Sequence, residues 1–287
     1  MLEGFPQGQL FLIAGPCVLE DDALNLRVAD ALAKLSPLVP GGIVFKASFD
    51  KANRSNATAY RGPGLDDGLE RLTRVRRQSG LPLLTDVHLP EQCAPAATVV
   101  DVLQIPAFLC RQTDLLEAAG ATAKPVNIKK GQWISPEGMR GAVEKVLKGR
   151  DSGTGNRESN SAPRLPIPDS RFPIAVTERG TFFGYGDLVV DMRSFARLRA
   201  ATKALIVFDA THSVQRPGLG DGGASGGARE FIPALALAAV AAGADGLFLE
   251  THPDPDHAPS DGPNMLPLSA LEALVRRVVA VWEASRS

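Results

Sequence analysis

The chain has 287 residues, room for one large domain or two small ones at about 150 residues per domain. Apolar residues make up 44% and charged residues 22%, ordinary for a globular protein, and 28 Gly with 22 Pro are too few for a collagen-like or low-complexity chain. Lys plus Arg number 31 against 32 for Asp plus Glu, so the net charge of −1 supplies no global field for nucleic acid or an anionic membrane, and any bound anion must be held by a local cluster of cations.

In chain order, residues 10–14 are a short apolar run that reads as a buried strand, and residues 22–35 follow as a helix with Leu24, Val28, Ala31, Leu32 and Leu35 on one face. A strand at 43–45 precedes a helix at 66–78, and strands at 82–84 and 99–103 come next. The helix at 114–119, the strand at 126–128 and the helix at 136–147 continue the alternation. Strands at 173–176, 205–208 and 246–249 alternate with helices at 188–198, 229–242 and 269–282. Fully apolar strands alternating with helices imply parallel strands buried on both faces. Eight strands in this length fit a closed single (β/α)8 TIM barrel with its active site at the C-terminal ends of the strands; a doubly wound open sheet is the competitor. Every strand ends in polar residues, and no Gly-x-Gly-x-x-Gly follows the first one, which favours the barrel. Residues 1–287 are read as one domain with a polar, turn-rich insertion at 149–171, expected to be mobile and to take no part in catalysis.

The longest uncharged stretch, 231–244, contains Pro233 and falls short of the roughly 20 apolar residues a membrane helix needs. No Lys or Arg precedes Arg27, so a secretory leader is not expected. Cys17, Cys93 and Cys110 are an odd, scattered set rather than a disulfide framework, and a cytoplasmic location is expected.

The strand ends carry two kinds of chemistry. Lys46, Lys51, Arg54, Arg111, Lys129, Lys130 and Arg179 all follow strands. One such residue is ordinarily a solvated charge, but so many at one mouth are unfavourable unless an anion joins them, and phosphate is the usual partner of Lys and Arg. Cys17, His212 and Glu250 end the first, seventh and eighth strands, and Asp261 lies in the last loop with His252, Asp254, Asp256 and His257. In a closed barrel those three strands are contiguous, so thiolate, imidazole and carboxylate can surround one divalent ion, a set that suits Zn²⁺ or Fe²⁺ better than Mg²⁺. A lone Cys is as often a small buried apolar residue, and spacing leaves both readings of Cys17 open. Cys93 and Cys110 read as structural, His88 as a packing residue or one supporting the ligands from behind rather than a ligand, and His257 as solvated.

At these residues the sequence resembles the 3-deoxy-D-manno-octulosonate 8-phosphate synthase family, in its metal-dependent class. The matching segments are 11–17, 46–56, 84–88, 104–113, 126–132, 177–186, 208–215 and 248–268, which leave out little but the insertion. The Lys-Ala-Asn-Arg-Ser run at 51–55 and the Asp-Ala-Thr-His-Ser-Val-Gln run at 209–215 are specific when found together.

The resemblance implies condensation of phosphoenolpyruvate with arabinose 5-phosphate and water, giving the eight-carbon sugar acid phosphate and inorganic phosphate, in the synthesis of the lipopolysaccharide sugar KDO. Carried over by position, Lys129 and Arg179 hold the phosphate of phosphoenolpyruvate, and Lys46 lies near the reacting carbons. Lys51, Asn53, Arg54 and Ser55 bind substrate, the last three at the pentose phosphate, while Asp86 and Gln104 line the pocket. Lys46, Asp86, Lys129 and His212 are the implied catalytic set. Arg111 serves a neighbouring subunit, which implies a homotetramer. Cys17, His212, Glu250 and Asp261 match four ligands of one divalent ion per subunit, Zn²⁺, Fe²⁺ or Mn²⁺; the metal-free class has Asn in place of Cys17. The Gly-rich segment 216–227 is expected to be a lid.

Two departures and two rivals stand beside this. Asn56 occupies a position where many members carry a second Ser, and the insertion is longer than usual. The closest rival is 3-deoxy-D-arabino-heptulosonate 7-phosphate synthase, which takes erythrose 4-phosphate and carries a Pro-Arg-Thr type motif where this chain has Asn53-Arg54-Ser55. The other is a non-catalytic sugar-phosphate-binding barrel.

Overall fold

A computed structural model describes residues 5–6, 8–52, 60–153, 173–219 and 226–286. Eight parallel strands alternate with eight helices: β1 (Phe11–Gly15), α1 (Asp22–Leu35), β2 (Ile43–Lys46), α2 (Leu65–Ser79), β3 (Leu83–Asp86), α3 (Pro90–Val99), β4 (Val102–Ile105), α4 (Thr113–Ala121), β5 (Val126–Lys129), α5 (Arg140–Gly153), β6 (Ile174–Glu178), α6 (Ser194–Thr202), β7 (Leu205–Asp209), α7 (Ile232–Ala241), β8 (Gly246–His252) and α8 (Leu268–Ala284). Each strand pairs with the next, and β8 pairs with β1 from Phe11 opposite Gly246 to Gly15 opposite Glu250, so the sheet closes into a (β/α)8 barrel. The open-sheet alternative is excluded.

Closure sorts side chains by the period of two along each strand. Phe11, Ile13, Val44, Leu84, Val102, Ala175, Val207 and Phe248 point inward and pack with Phe5, which stacks on Phe11 at 5.1 Å. Outward residues such as Leu12, Phe45, Leu83, Leu103, Ile128, Val176 and Phe208 pack under the helices. Two positions beyond the inward apolar residues come Lys46, Asp86, Gln104, Asp209 and Glu250, all buried. An apolar plug thus fills one half of the barrel and a polar layer the other.

Four expectations need correction. Helix α3 has no counterpart in the hydrophobic pattern, because Pro95 sits inside it and its apolar residues do not form a stripe. Gln92 Oε1 anchors its start by accepting from the backbone N–H of His88 at 2.8 Å and Leu89 at 3.2 Å. Val99 and Val100 therefore finish a helix rather than begin a strand, and β4 starts at Val102. Helix α6 begins at Ser194 rather than 188, since Thr181 and Val189 form a bridge and Asp191 Oδ1 turns the chain by accepting from Arg193 N–H at 3.0 Å. The insertion does not begin at 149: residues up to Gly153 continue α5, and 154–172 lie outside the described residues.

Gly149 has a packing role. A Cβ there would lie 2.0 Å from the backbone oxygen of Glu117 on α4. Gly149→Ala gains up to about 1 kcal/mol of helix propensity but forces two backbones apart, at about 1–3 kcal/mol. The clash outweighs the propensity, and the variant should melt lower by about 2–4 °C per kcal/mol of net loss. An unchanged or raised melting temperature would show that α4 and α5 separate freely.

Candidate active site

A cavity of about 590 Å³ opens at the polar end of the barrel. Lys46, Lys51, Lys129 and Arg179 line it together with Asp86, Asp209, Glu250, Asp256 and Asp261. Four of the strand-end cations thus meet at one mouth, where the lysines also have carboxylate partners. Lys46 Nζ donates to Glu250 Oε1 at 2.6 Å and to the carbonyl of Cys17 at 2.7 Å. Lys51 Nζ stands 4.0 Å from both Asp86 and Glu250. Lys129 Nζ is bonded to Asp209 and lies 3.2 Å from the centre of the Phe248 ring. Lys130 turns away from the cavity, is 1% exposed, and faces Glu178 at 3.4 Å.

Arg179 is the cavity cation with an unpaired buried donor among the described residues. It is 5% exposed, Nη2 donates to Gln215 Oε1 at 2.6 Å, and the buried Nη1 has no hydrogen-bond partner. Burial works against its charge and lowers its pKa from the ordinary value. An anion in the cavity would satisfy both the free N–H groups and the charge.

Opposite it, a hydrogen-bonded chain crosses five strands or strand ends. Thr177 Oγ1 donates to Asn127 Oδ1 at 2.6 Å, and Asn127 Nδ2 donates to Gln104 Oε1 at 2.8 Å. Gln104 Nε2 and Ser48 Oγ then donate to the two oxygens of Asp86. Burial would raise the Asp86 pKa, but Lys46 and Lys51 outweigh it and hold the carboxyl well below the usual range. Asp86 is thus a fixed acceptor that keeps the amide of Gln104 oriented.

The third feature is an acidic corner at β8, β1 and the last loop. Atoms of Cys17, Glu250 and Asp261 lie within 4.8 Å of one another. Gly15 makes this possible, because a Cβ there would fall 2.0 Å from the carbonyl oxygen of Lys46 where β1 meets β2. Asp261 adopts a left-handed conformation, φ 51°, uncommon outside Gly, and its Oδ2 accepts from Cys17 Sγ at 3.3 Å and from Ser260 Oγ at 3.1 Å. Burial, then the Glu250 charge, pushes the Cys17 thiol up to about 12.

His212 stands just outside that trio, with Nε2 3.8 Å from Glu250 Oε2. Its Nδ1 is 2.8 Å from Asp209 Oδ2. Burial would raise the Asp209 pKa, but His212 and Lys129 reverse this and keep the carboxyl far below its usual range. Asp209 is then an acceptor for the Nδ1–H of His212, which turns Nε2 toward Glu250. Glu250 Oε2 is buried and has no hydrogen-bond partner. An imidazole nitrogen facing a buried, unpartnered carboxylate oxygen is a pair that a proton or a metal cation can bridge. The sulfur, imidazole and carboxylate donors present here therefore fit a divalent transition metal, with Asp209 orienting the imidazole from behind.

The remaining candidates divide. Arg111 is exposed and does not line this cavity. Asn53, Arg54 and Ser55 lie outside the described residues, as does 220–225 of the expected lid, whose base pairs Gln215–Arg216 with Gly226–Gly227. His88 lines the cavity, edge-on to Phe49 at 6.0 Å, and is not part of the acidic corner. His257 is exposed beside Asp254, and Cys93 and Cys110 are buried free thiols. The roles of Asp209 and Gln215 were not singled out by residue type; an Asp three residues before a strand-end His was the available signal for the first.

The model of the DAHP synthetase I family matches residues 6–285, nearly the whole barrel with its mouth. The chain belongs to that family. Within the DAHP synthetase I family its relatives include a 2-dehydro-3-deoxyphosphooctonate aldolase of Nitrobacter winogradskyi, 55% identical over 271 residues, 94% of this chain and 87% of that protein. Proteins of the same name from Nitratidesulfovibrio vulgaris (strain DP4) and Verminephrobacter eiseniae are each 52% identical, over 272 and 281 residues, covering 95% and 97% of this chain and 92% and 93% of theirs. Among the described residues, no helix of this family member is long and apolar enough to cross a membrane.

Proposed function

We propose that the chain is a transferase that condenses phosphoenolpyruvate with D-arabinose 5-phosphate and water, releasing 3-deoxy-D-manno-octulosonate 8-phosphate and inorganic phosphate. The observation that carries this reading is the buried Arg179 Nη1, without a partner and facing the same cavity as the Cys17, Glu250 and Asp261 corner. The names of the relatives at 52–55% identity favour the eight-carbon product over the seven-carbon one.

In this reading Arg179 and Lys129 hold the phosphate of phosphoenolpyruvate. Burial lowers the pKa of Lys129, and a dianion beside it restores the charge that Asp209 alone balances. Lys46, pinned by Glu250 and the Cys17 carbonyl, offers a fixed ammonium group near the reacting carbons. Lys51 with the loop residues Asn53, Arg54 and Ser55 takes the pentose phosphate, and Arg111 reaches the sugar phosphate of a neighbouring subunit in a cytoplasmic homotetramer. Asp86 and Gln104 orient the substrates from the far wall. Carbon 3 of phosphoenolpyruvate bonds to the aldehyde carbon, whose oxygen takes a proton. Water adds at carbon 2, the bond from carbon 2 to the phosphate oxygen breaks, and phosphate leaves. One divalent ion per subunit, Zn²⁺, Fe²⁺ or Mn²⁺, held by Cys17, His212, Glu250 and Asp261, would supply Lewis-acid polarisation or substrate orientation.

The test is phosphate release from phosphoenolpyruvate with arabinose 5-phosphate or erythrose 4-phosphate, before and after chelation. Turnover with the pentose phosphate that chelation removes and a divalent ion restores is expected. Preference for the four-carbon aldose would favour the heptulosonate reading, and no turnover with either would favour a binding barrel.

A further inference from the structure

Gln215 occupies the point where three parts of the site meet. It follows the His212–Val214 turn and opens the short antiparallel ladder at the base of the Gly-rich loop. Its Nε2 donates to Asp261 Oδ1 at 3.0 Å, and its Oε1 accepts from Arg179 Nη2 at 2.6 Å. A carboxylate only accepts and a guanidinium only donates, so this amide orientation alone satisfies both neighbours. The reverse orientation would set oxygen against oxygen and N–H against N–H. One half-buried side chain therefore spans from the acidic corner to the guanidinium whose other nitrogen faces the cavity.

We infer that Gln215 is a positioning residue that couples the divalent-cation corner to the anion-holding Arg179, so that occupancy of either one tightens the other. This rests on the function proposed above. A cation at Asp261 fixes that carboxylate, the carboxylate fixes the amide plane, and the amide fixes the guanidinium. The coupling runs equally in the opposite direction, since linkage between two binding sites is reciprocal. Side chains that hold metal ligands from behind typically change metal affinity by about 10–100-fold when lost.

The test is titration of the chelator-stripped full chain with cobalt(II), read by its thiolate-to-cobalt absorption band, with and without phosphoenolpyruvate. Binding is thus measured without turnover. In the unmodified protein, phosphoenolpyruvate should tighten cobalt binding several-fold. Gln215→Leu should weaken cobalt binding by about 10–100-fold and abolish the effect of phosphoenolpyruvate. Gln215→Glu keeps an acceptor for Arg179 but repels Asp261. It should weaken cobalt binding and lose the coupling, so that phosphoenolpyruvate no longer tightens cobalt and cobalt no longer tightens phosphoenolpyruvate. If the Leu variant does not fold, the Glu variant decides. Coupling retained in either folded variant, or absent from an unmodified protein that does bind cobalt, overturns the inference. A missing cobalt band in the unmodified protein, with folding intact, overturns the metal-centred reading instead.

Discussion

Cys17→Ala should remove metal-dependent turnover and leave a folded barrel. Cys17 is fully buried and supplies the only sulfur in the acidic corner. Without it, the remaining donors are Glu250, Asp261 and the Nε2 of His212, a weaker set for a soft divalent ion. A bound cation of this kind is worth several kcal/mol of transition-state stabilisation, so turnover should fall by about 10²-fold or more. The fold loses little, because no disulfide is broken and only one sulfur atom leaves a small buried gap. The measurement is phosphate release and metal content side by side, with thermal melting as the control for folding. Full activity in a metal-free Ala variant would sink the assignment. Cys17→Asn is a separate case, because the resembled family contains Asn at this position in a class that works without metal.

Asp209→Asn should produce the second large effect, on both stability and activity. Asp209 is 0% exposed, pairs with Lys129, and accepts from Nδ1 of His212 and from the backbone N–H of His212 at 2.8 Å. The amide leaves Lys129 buried without its counter-charge, at a cost of about 3–5 kcal/mol. Lys129 limits that cost by releasing its proton, since burial already lowers its pKa. The amide can also donate to Nδ1, which puts the imidazole proton on Nε2 and spoils it as a ligand, so metal affinity should drop by about 10–100-fold. The pH dependence has a definite sign. The folded pKa of Asp209 lies below its unfolded value, so its stabilisation is complete above the unfolded pKa of about 4 and is lost as pH falls toward the folded one. The stability gap between the two proteins should therefore be widest near neutrality and narrow on acidification below about pH 5. Denaturant titrations at several pH values measure this, and a gap that grows in acid would contradict the assigned ionisation.

Much of the barrel was legible because its signals are local. Apolar runs such as Ile43-Val44-Phe45 and Leu205-Ile206-Val207-Phe208 announce strands buried on both faces, and α1 shows its apolar stripe and its length in the sequence alone. Where the local signal is weak or borrowed from tertiary contacts, the reading slipped. Helix α3 carries an internal Pro and gains its start from Gln92, and the delayed start of α6 depends on a bridge between Thr181 and Val189. In the site, residue type singled out Cys17, Glu250 and Asp261, whose donor atoms the barrel brings within 4.8 Å of one another. Residue type also placed Lys130 at the mouth, although Lys129 and Lys130 are adjacent in a strand end and must face opposite ways.

By itself the sequence determined the order of strands and helices and the chemical type of each residue at the strand tips. Only the closed barrel decided which tips meet. Lys46 and Glu250 are 204 positions apart, and Cys17 and Asp261 are 244 apart. Those pairs exist because β8 bonds to β1, and because a period of two turns the same face of every strand toward one axis. Charge balance in the cavity and the orientation of Gln215 depend on such distant partners, which no run of neighbouring residues encodes.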